Sequence, residues 1–472
     1  MRRLFFALIA LSAGAAAAGR PAPPDSPAAR QIAAEHLPPG AVSFVIAAAD
    51  TGRVIRSRNA DTLRSPASTI KLLTTFAGLE LLGPAFTWQT RALTNAPLVN
   101  GVLRGDLFLQ GGGDPYMTLE RWWYFAHQLR VRGVRAIDGD IVVDDREFSQ
   151  PEADPGAFDG HPNRPYNVVP DALMVNFQSV VFRLTPDRLA RKIAIVADPM
   201  PLHLSIDNRI RFVPGRCGDA ADHVDFQDPS VERDRMVFTG TMAAQCAPLE
   251  ITRAVMHAPQ YAYGTFVPLW REQGGTLAGA LRVEAAPAGA RLLFSYDSLP
   301  LAEVVRLTNK FSNNLMARDL LLTLGERRFG APATVDKGIA AIEEWSRSRG
   351  LKLDDTVLDN GAGLSRKARI SAATLAAVLA AAYRSRYAPE FLASLPLAGL
   401  DGTLKSSMAD TPPGAVRLKT GHIDGVSNVA GYVTTARGRT YILVSFVNDA
   451  RAGSGAGEPV HAALVDWILR TL

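Results

Sequence analysis

The sequence predicts an α+β protein in which an antiparallel sheet flanked by helices is interrupted by a large insertion. Three observations carry this expectation. A strand pair stands near the start, helical patterns dominate from Leu301 onward, and three successive strands with a last helix close the chain. Between these parts, from about Arg91 to Ser298, short β-like runs alternate with Gly, Pro and Asp turns. The chain has 472 residues, enough for about two or three domains.

In chain order, AVSFVIA (41–47) and Val54-Ile55 read as strands paired around Asp50-Thr51-Gly52. A helix is expected from Ser68 to about Leu82. Its Ile70, Leu72, Leu73, Phe76, Leu79 and Leu82 cover most of its circumference, which predicts burial. In the middle region 107–109 and 141–143 are β-like, and 119–132 and 261–273 are helical. Helices follow over 301–324, 335–349 and 371–385. Strands are expected at 416–420, 428–434 and 440–447, then a helix from Val460. No fixed-period repeat is present.

Hydrophobic residues make up 47% and charged residues 21%, a composition that supports a large core. Residues 1–19 have the pattern of a secretory signal peptide: Arg2 and Arg3, an apolar stretch from Leu4 to Leu11, and Ala16-Ala17-Ala18 as a small-residue cleavage site. The apolar stretch falls short of the roughly twenty residues that span a bilayer. A Pro/Ala-rich leader at 20–30 is expected to be mobile. The formal charge of +5 is dispersed, with no Lys/Arg stripe of the kind that binds nucleic acid. Two cysteines, Cys217 and Cys246, are expected to form a disulfide in an oxidising compartment, the alternative being two buried thiols.

Hydrolysis of an amide without a metal or cofactor needs an activated nucleophile, oxyanion donors and groups that hold the substrate. The sequence has neither HExxH nor G-x-S-x-G. It has instead three short elements in order. In Ser68-Thr69-Ile70-Lys71 the serine and lysine fall about one turn apart on a helix face, so a lysine of lowered pKa can act as base. The start of that helix also offers backbone N–H groups, Ser68's among them, to a developing anion. None of the chain's other lysines has Ser three residues before it. Ser312-Asn313-Asn314 precedes an apolar run; Ser57-Arg58-Asn59 fits the same S-x-N pattern, and an ordinary helix cap also accounts for 312–314. Lys419-Thr420-Gly421 is the single K-T-G. On a strand, Lys419 and Gly421 point away from Thr420, and glycine leaves room for a substrate backbone. Together the three match the S-x-x-K, S-D-N, K-T-G set of class A β-lactamases and penicillin-binding proteins, with Asn313 where that set has Asp.

With these motifs the chain resembles the class C low-molecular-mass penicillin-binding proteins, D-alanyl-D-alanine carboxypeptidase/endopeptidases. GGGDPYMT (111–118), PYNVVPDALMVNF (165–177), GAGLSR (361–366), LAGLDGTL (397–404) and GVSNVAGYV (425–433) extend the resemblance over nearly the whole chain. It implies a β-lactamase/transpeptidase-like domain (20–90 and 299–472) interrupted by two smaller, mainly β domains (91–182 with 257–298, and 183–256). It also implies Ser68 as acylated nucleophile, Lys71 as base, Ser312 as proton shuttle to the leaving amine, and Asn314 as holder of the substrate amide. Lys419 and Thr420 would bind the terminal carboxylate, beside the small Gly421, and the N–H groups of Ser68 and His422 would form the oxyanion hole. His422 departs from the Thr or Ser of many relatives, and Asn360 and Ala362 depart from Asp and Ser. Arg366 becomes a candidate contact to the substrate stem, and Asp144, or its neighbour Asp145, a candidate for the amine of a diaminopimelate side chain. The implied partners are peptidoglycan peptides and, as covalent inhibitors, β-lactams; the implied compartment is the periplasm, and an oligomer is left open. A serine β-lactamase and a non-catalytic peptidoglycan-binding protein are the alternatives. The long insertion disfavours the first, and the intact motifs the second.

Overall fold

The computed structural model describes residues 27–149, 153–218 and 223–472; the expected signal peptide lies outside them. The leader is shorter than its composition suggests. Pro27–Ala34 is a helix, and Ala28 and Ile32, one turn apart, are buried against Val460, Leu464 and Ile468 of the terminal helix Glu458–Thr471. The expectation of a mobile leader through residue 30 is therefore corrected for residues 27–30.

Five antiparallel strands form the central sheet, in the order Val54–Arg58, Val42–Ala48, Thr440–Asn448, Val426–Thr434 and Val416–Ile423. Alternation sorts their side chains. Val42, Phe44 and Ile46 face the terminal helices, while Val45 and Ala47 face the helical layer of Lys71–Leu82, Leu301–Phe311, Asn314–Phe329 and Ala372–Arg384. Both faces of the three inner strands are covered, so these strands are buried along nearly their whole length.

The insertion leaves and returns at one point: Trp88 N–H donates to Ser298 Oγ at 3.0 Å, and Ser298 N–H to the Trp88 carbonyl at 2.9 Å. Inside it, Leu281–Val283, Ile141–Asp144, Leu107–Gln110, Gln89–Thr94 and Arg291–Asp297 form a sheet with parallel pairs at Ile141–Asp144. Helices Leu119–Val131 and Ala258–Glu272 lie on it through Trp122, Phe125 and Phe266. Further strands gather about Ser179–Asp187 and Arg235–Ala243, where Cys217 and Cys246 are joined in a disulfide. The whole is an α+β domain, its antiparallel sheet flanked by helices, carrying a large insertion.

Two expected helices change form at the places that matter most. The Ser68 helix begins as a 3-10 turn, Ala67–Ile70, before Lys71–Leu82. The expected 301–324 helix breaks at Ser312, which adopts a left-handed conformation (φ 57°) between Leu301–Phe311 and Asn314–Phe329.

Candidate active site

Ser68 is held by apolar anchoring on either side. Ile70, Leu72, Leu73 and Phe76 are buried, each contributing about 1.5–3 kcal/mol, and they fix the turn from below. Ala67, just before the serine, is buried with φ 44°, a conformation that costs a non-glycine residue roughly 1–3 kcal/mol. Gly363 makes room for it: a Cβ there would sit 1.9 Å from the Ala67 carbonyl oxygen. Asn428 Nδ2 donates to the Ser65 carbonyl (2.9 Å) and Asn448 Oδ1 accepts from Ser65 N–H (2.8 Å), tying the turn to the sheet.

Lys71 is fully buried beneath Ser68. Its Nζ lies 2.9 Å from Ser68 Oγ, 2.6 Å from Asn314 Oδ1 and 2.6 Å from the Ala362 carbonyl. Burial, and then the cations of Lys419 and Arg318, push the amine well below the usual lysine range. Asn314 Oδ1 and the Ala362 carbonyl can only accept. A neutral amine gives them its two N–H groups, which leaves its lone pair for the Ser68 hydroxyl.

The break at Ser312 turns that side chain toward the Lys-Thr-Gly strand. Lys419 Nζ, also fully buried, donates to Ser312 Oγ at 2.8 Å and to the Thr420 carbonyl at 2.7 Å; burial pushes its pKa down to about 7. Asn313, the middle residue, caps the next helix by accepting from Met316 N–H at 3.0 Å. The cap and the site thus use different members of the same triplet.

Val416–Ile423 is the edge strand of the sheet. Leu418 N–H points off that edge to the Pro396 carbonyl (3.1 Å), so by strand alternation the N–H groups of Thr420 and His422 also face outward. Lys419 and Gly421 share the opposite set and face the serine turn. A Cβ on Gly421 would lie 2.7 Å from the Pro66 carbonyl and 3.1 Å from Ser68 N. Only glycine permits this approach. Thr420 Oγ1 is 2.8 Å from Thr403 Oγ1.

The insertion reaches the same pocket, where Asn314 Nδ2 donates to the Tyr166 carbonyl (3.3 Å) and Arg318 to that of Val168 (2.9 Å). Arg366 stands at the rim, paired with Asp424 at 3.0 Å and stacked 4.6 Å from the Phe158 ring. Asp144 is not drawn into this cluster. Buried in its strand, it accepts from Gln110 (3.0 Å), Arg146 (3.0 Å) and Ala286 N–H (3.0 Å), on one wall of a cleft of about 770 Å³ that Asp145, Glu147 and Asp171 also line. Sequence reasoning did not assign the Ala362 carbonyl, Arg318, Tyr166 or Thr403. Two act through backbone oxygens, which residue type does not signal; Arg318 follows Asn314 by one turn of the same helix, and Thr403 comes in on a separate loop.

The D-Ala-D-Ala carboxypeptidase 3 (S13) family pattern matches residues 28–471. The chain belongs to that family. It is 31% identical over 435 residues to the D-alanyl-D-alanine carboxypeptidase of Actinomadura sp., covering 88% of this chain and 79% of that one. It is 25% identical over 437 residues to D-alanyl-D-alanine carboxypeptidase DacB of Haemophilus influenzae, covering 92% and 91%. The crystal structure of penicillin-binding protein 4 (dacB) from H. influenzae shares the fold, with a TM-score of 0.78 at 24% identity over 90% of this chain and 96% of that one. The same protein complexed with a β-lactam gives 0.75 at 24% identity, over 93% and 97%. Membership in this family makes the chain a serine-type D-Ala-D-Ala carboxypeptidase.

Proposed function

We propose that this enzyme is exported by residues 1–19 and cleaves peptidoglycan stem peptides and cross-links through an acyl group on Ser68. The observation that carries the reading is the Lys71 amine, held by two pure acceptors with Ser68 Oγ at 2.9 Å. Ser68 Oγ attacks the carbonyl of the penultimate D-alanine and its proton passes to the Lys71 lone pair. The N–H groups of Ser68 and His422 stabilise the oxyanion. As the C–N bond breaks, Ser312, bonded to Lys419, passes its proton to the leaving amine and is resupplied with the one held by Lys71, which leaves that amine neutral for the next step. Water then cleaves the Ser68 ester, returning the hydroxyl proton. Asn314 holds the substrate amide, and Lys419 with Thr420 holds the free carboxylate. Where the departing amine belongs to a neighbouring stem rather than free D-alanine, the same steps make the enzyme an endopeptidase.

Arg366 is placed to meet the stem. Asp144 already spends both oxygens inside the insertion, so Asp145 is the better candidate for an amine on the stem. β-Lactams acylate Ser68 and stay there. The signal-peptide pattern at residues 1–19 and the cell-wall substrate support a periplasmic location. Mass spectrometry of digested muropeptides and of the intact protein after benzylpenicillin tests the reading. The expected result is D-alanine loss and a single adduct for the native chain, and neither for Ser68→Ala. Unchanged D-alanine release by Ser68→Ala overturns it.

A further inference from the structure

We propose that Thr403 is a positioning residue for substrate specificity: its hydroxyl orients the Thr420 hydroxyl toward the free carboxylate of the substrate. The inference rests on the reading of Thr420 as a carboxylate ligand. The two hydroxyl oxygens lie 2.8 Å apart, and each carries one proton and two acceptor lone pairs. A carboxylate only accepts, so Thr420 must give it its single proton. The contact then survives only if Thr403 donates to Thr420. Without substrate Thr420 donates to Thr403; the reversed bond locks the Thr420 rotor and strengthens it as a donor, because hydrogen bonds in a chain polarise one another.

The loop that carries Thr403 is built to keep this distance. Asp401 Oδ1 accepts from Leu397 N–H at 2.8 Å, and its Oδ2 is 2.5 Å from the buried Nζ of Lys310, two residues before Ser312. Gly402, at φ 57°, presses so closely on this helix end that a Cβ would lie 2.5 Å from the Lys310 carbonyl oxygen. On the other side, Ala398 N–H donates to the Val416 carbonyl and Leu418 N–H to that of Pro396, each at 3.1 Å. One short loop therefore references the Ser312 break and the Lys-Thr-Gly strand at once, and it offers a single exposed hydroxyl to Thr420.

The test compares acylation rate constants for benzylpenicillin, which has the carboxylate, and its methyl ester, which lacks the anion. Thr403→Val is expected to slow acylation by the acid about tenfold while changing the ester by less than about twofold. Thr403→Ser, which keeps the hydroxyl, is expected to restore the acid rate. Equal losses on both compounds, or no loss on the acid, overturn the proposal. Thr420→Val separates the two levels. If it leaves the acid-to-ester ratio intact, the carboxylate reading itself fails. If it collapses the ratio while Thr403→Val does not, the role of Thr403 alone fails.

Discussion

Replacing Gly421 by alanine drives a wedge between the Lys-Thr-Gly strand and the serine turn. The new Cβ would stand 2.7 Å from the Pro66 carbonyl oxygen, 3.0 Å from Thr69 N and 3.1 Å from Ser68 N, whereas ordinary contacts begin at 3.4 Å. All three are backbone atoms, so no side chain can swing aside, and the two elements must part by about 0.7 Å. Overpacking of this kind costs roughly 1–3 kcal/mol of stability. The larger effect falls on reactivity. The N–H groups of Ser68 and His422, the proposed oxyanion donors, belong to the two elements that would part, and a shift approaching 1 Å in such a site lowers the rate about 10- to 100-fold. The second-order rate constant for acylation by a fluorescent penicillin, read beside a thermal melt, measures both consequences. Gly289→Ala is the control, since nothing lies within 4 Å of its added Cβ. A Gly421→Ala protein that melts normally and acylates at the native rate would refute the claim that this strand and this turn form one reactive pocket.

Further outcomes follow from the same geometry. Asn314→Leu removes one of the two acceptors that orient Lys71, and acylation is expected to fall about 100-fold in a gel-based penicillin-labelling time course. The pH profile of kcat/KM should be bell-shaped, rising as Lys71 loses its proton and falling as Lys419 loses its own near about 7. Lys419→Ala takes a cation away from Lys71, so the acid limb should move to higher pH; an unmoved limb refutes the coupling. His461, buried between Ser427 and Ser445, has its pKa pushed down to about 4, so the folded state resists a proton that the unfolded chain accepts below about 6.5. Stability is therefore full above that value and declines by about 3 kcal/mol as pH falls toward 4, and His461→Asn should flatten this part of the melting-temperature profile. Asp144→Asn is expected to lower the melting temperature by disturbing its hydrogen bonds to Arg146 and Ala286, with about 1–3 kcal/mol lost. It should leave unchanged the ratio of activities on free-amine and N-acetylated stem peptides, a ratio that Asp145→Asn should change.

The proposed catalytic side chains were legible as motifs because the spacing they need is local. Ser68 and Lys71 need a three-residue spacing, and Lys419 and Gly421 need strand alternation; both follow from backbone geometry. Their convergence was legible only through the order of the motifs. The break at Ser312 was signalled only by the cap-like Ser312-Asn313-Asn314 triplet, since the run from Leu301 to Leu324 contains no glycine or proline to announce it, and the left-handed residue is a serine. What holds it there is tertiary: Lys419 bonds its hydroxyl, and Lys310, two residues earlier, is fixed by Asp401. The Pro27–Ala34 helix was hidden differently. Its Pro/Ala composition reads as leader, and only the partner helix, more than four hundred residues on, gives Ala28 and Ile32 something to cover. The Ala362 carbonyl carries no side-chain signature at all. Its place is set by Asn360, whose Oδ1 accepts from Ala362 and Gly363 N–H at 3.0 and 3.1 Å.

In the mechanism we propose, two lysines in one small pocket do opposite work, and the difference lies in their neighbours. Both are fully buried, so both amines are pushed toward neutrality. At Lys71 the positive charges of Lys419 and Arg318 add to the burial and push in the same direction. On this proposal a neutral Lys71 serves as the base while Lys419 carries the charge. A substrate carboxylate arriving beside Lys419 deepens this division, since an anion there favours the charged form. Binding thus sustains the cation that holds the substrate. That same cation, through its field on Lys71, keeps the base free of its proton, so recognition of the carboxylate and activation of Ser68 are one electrostatic event.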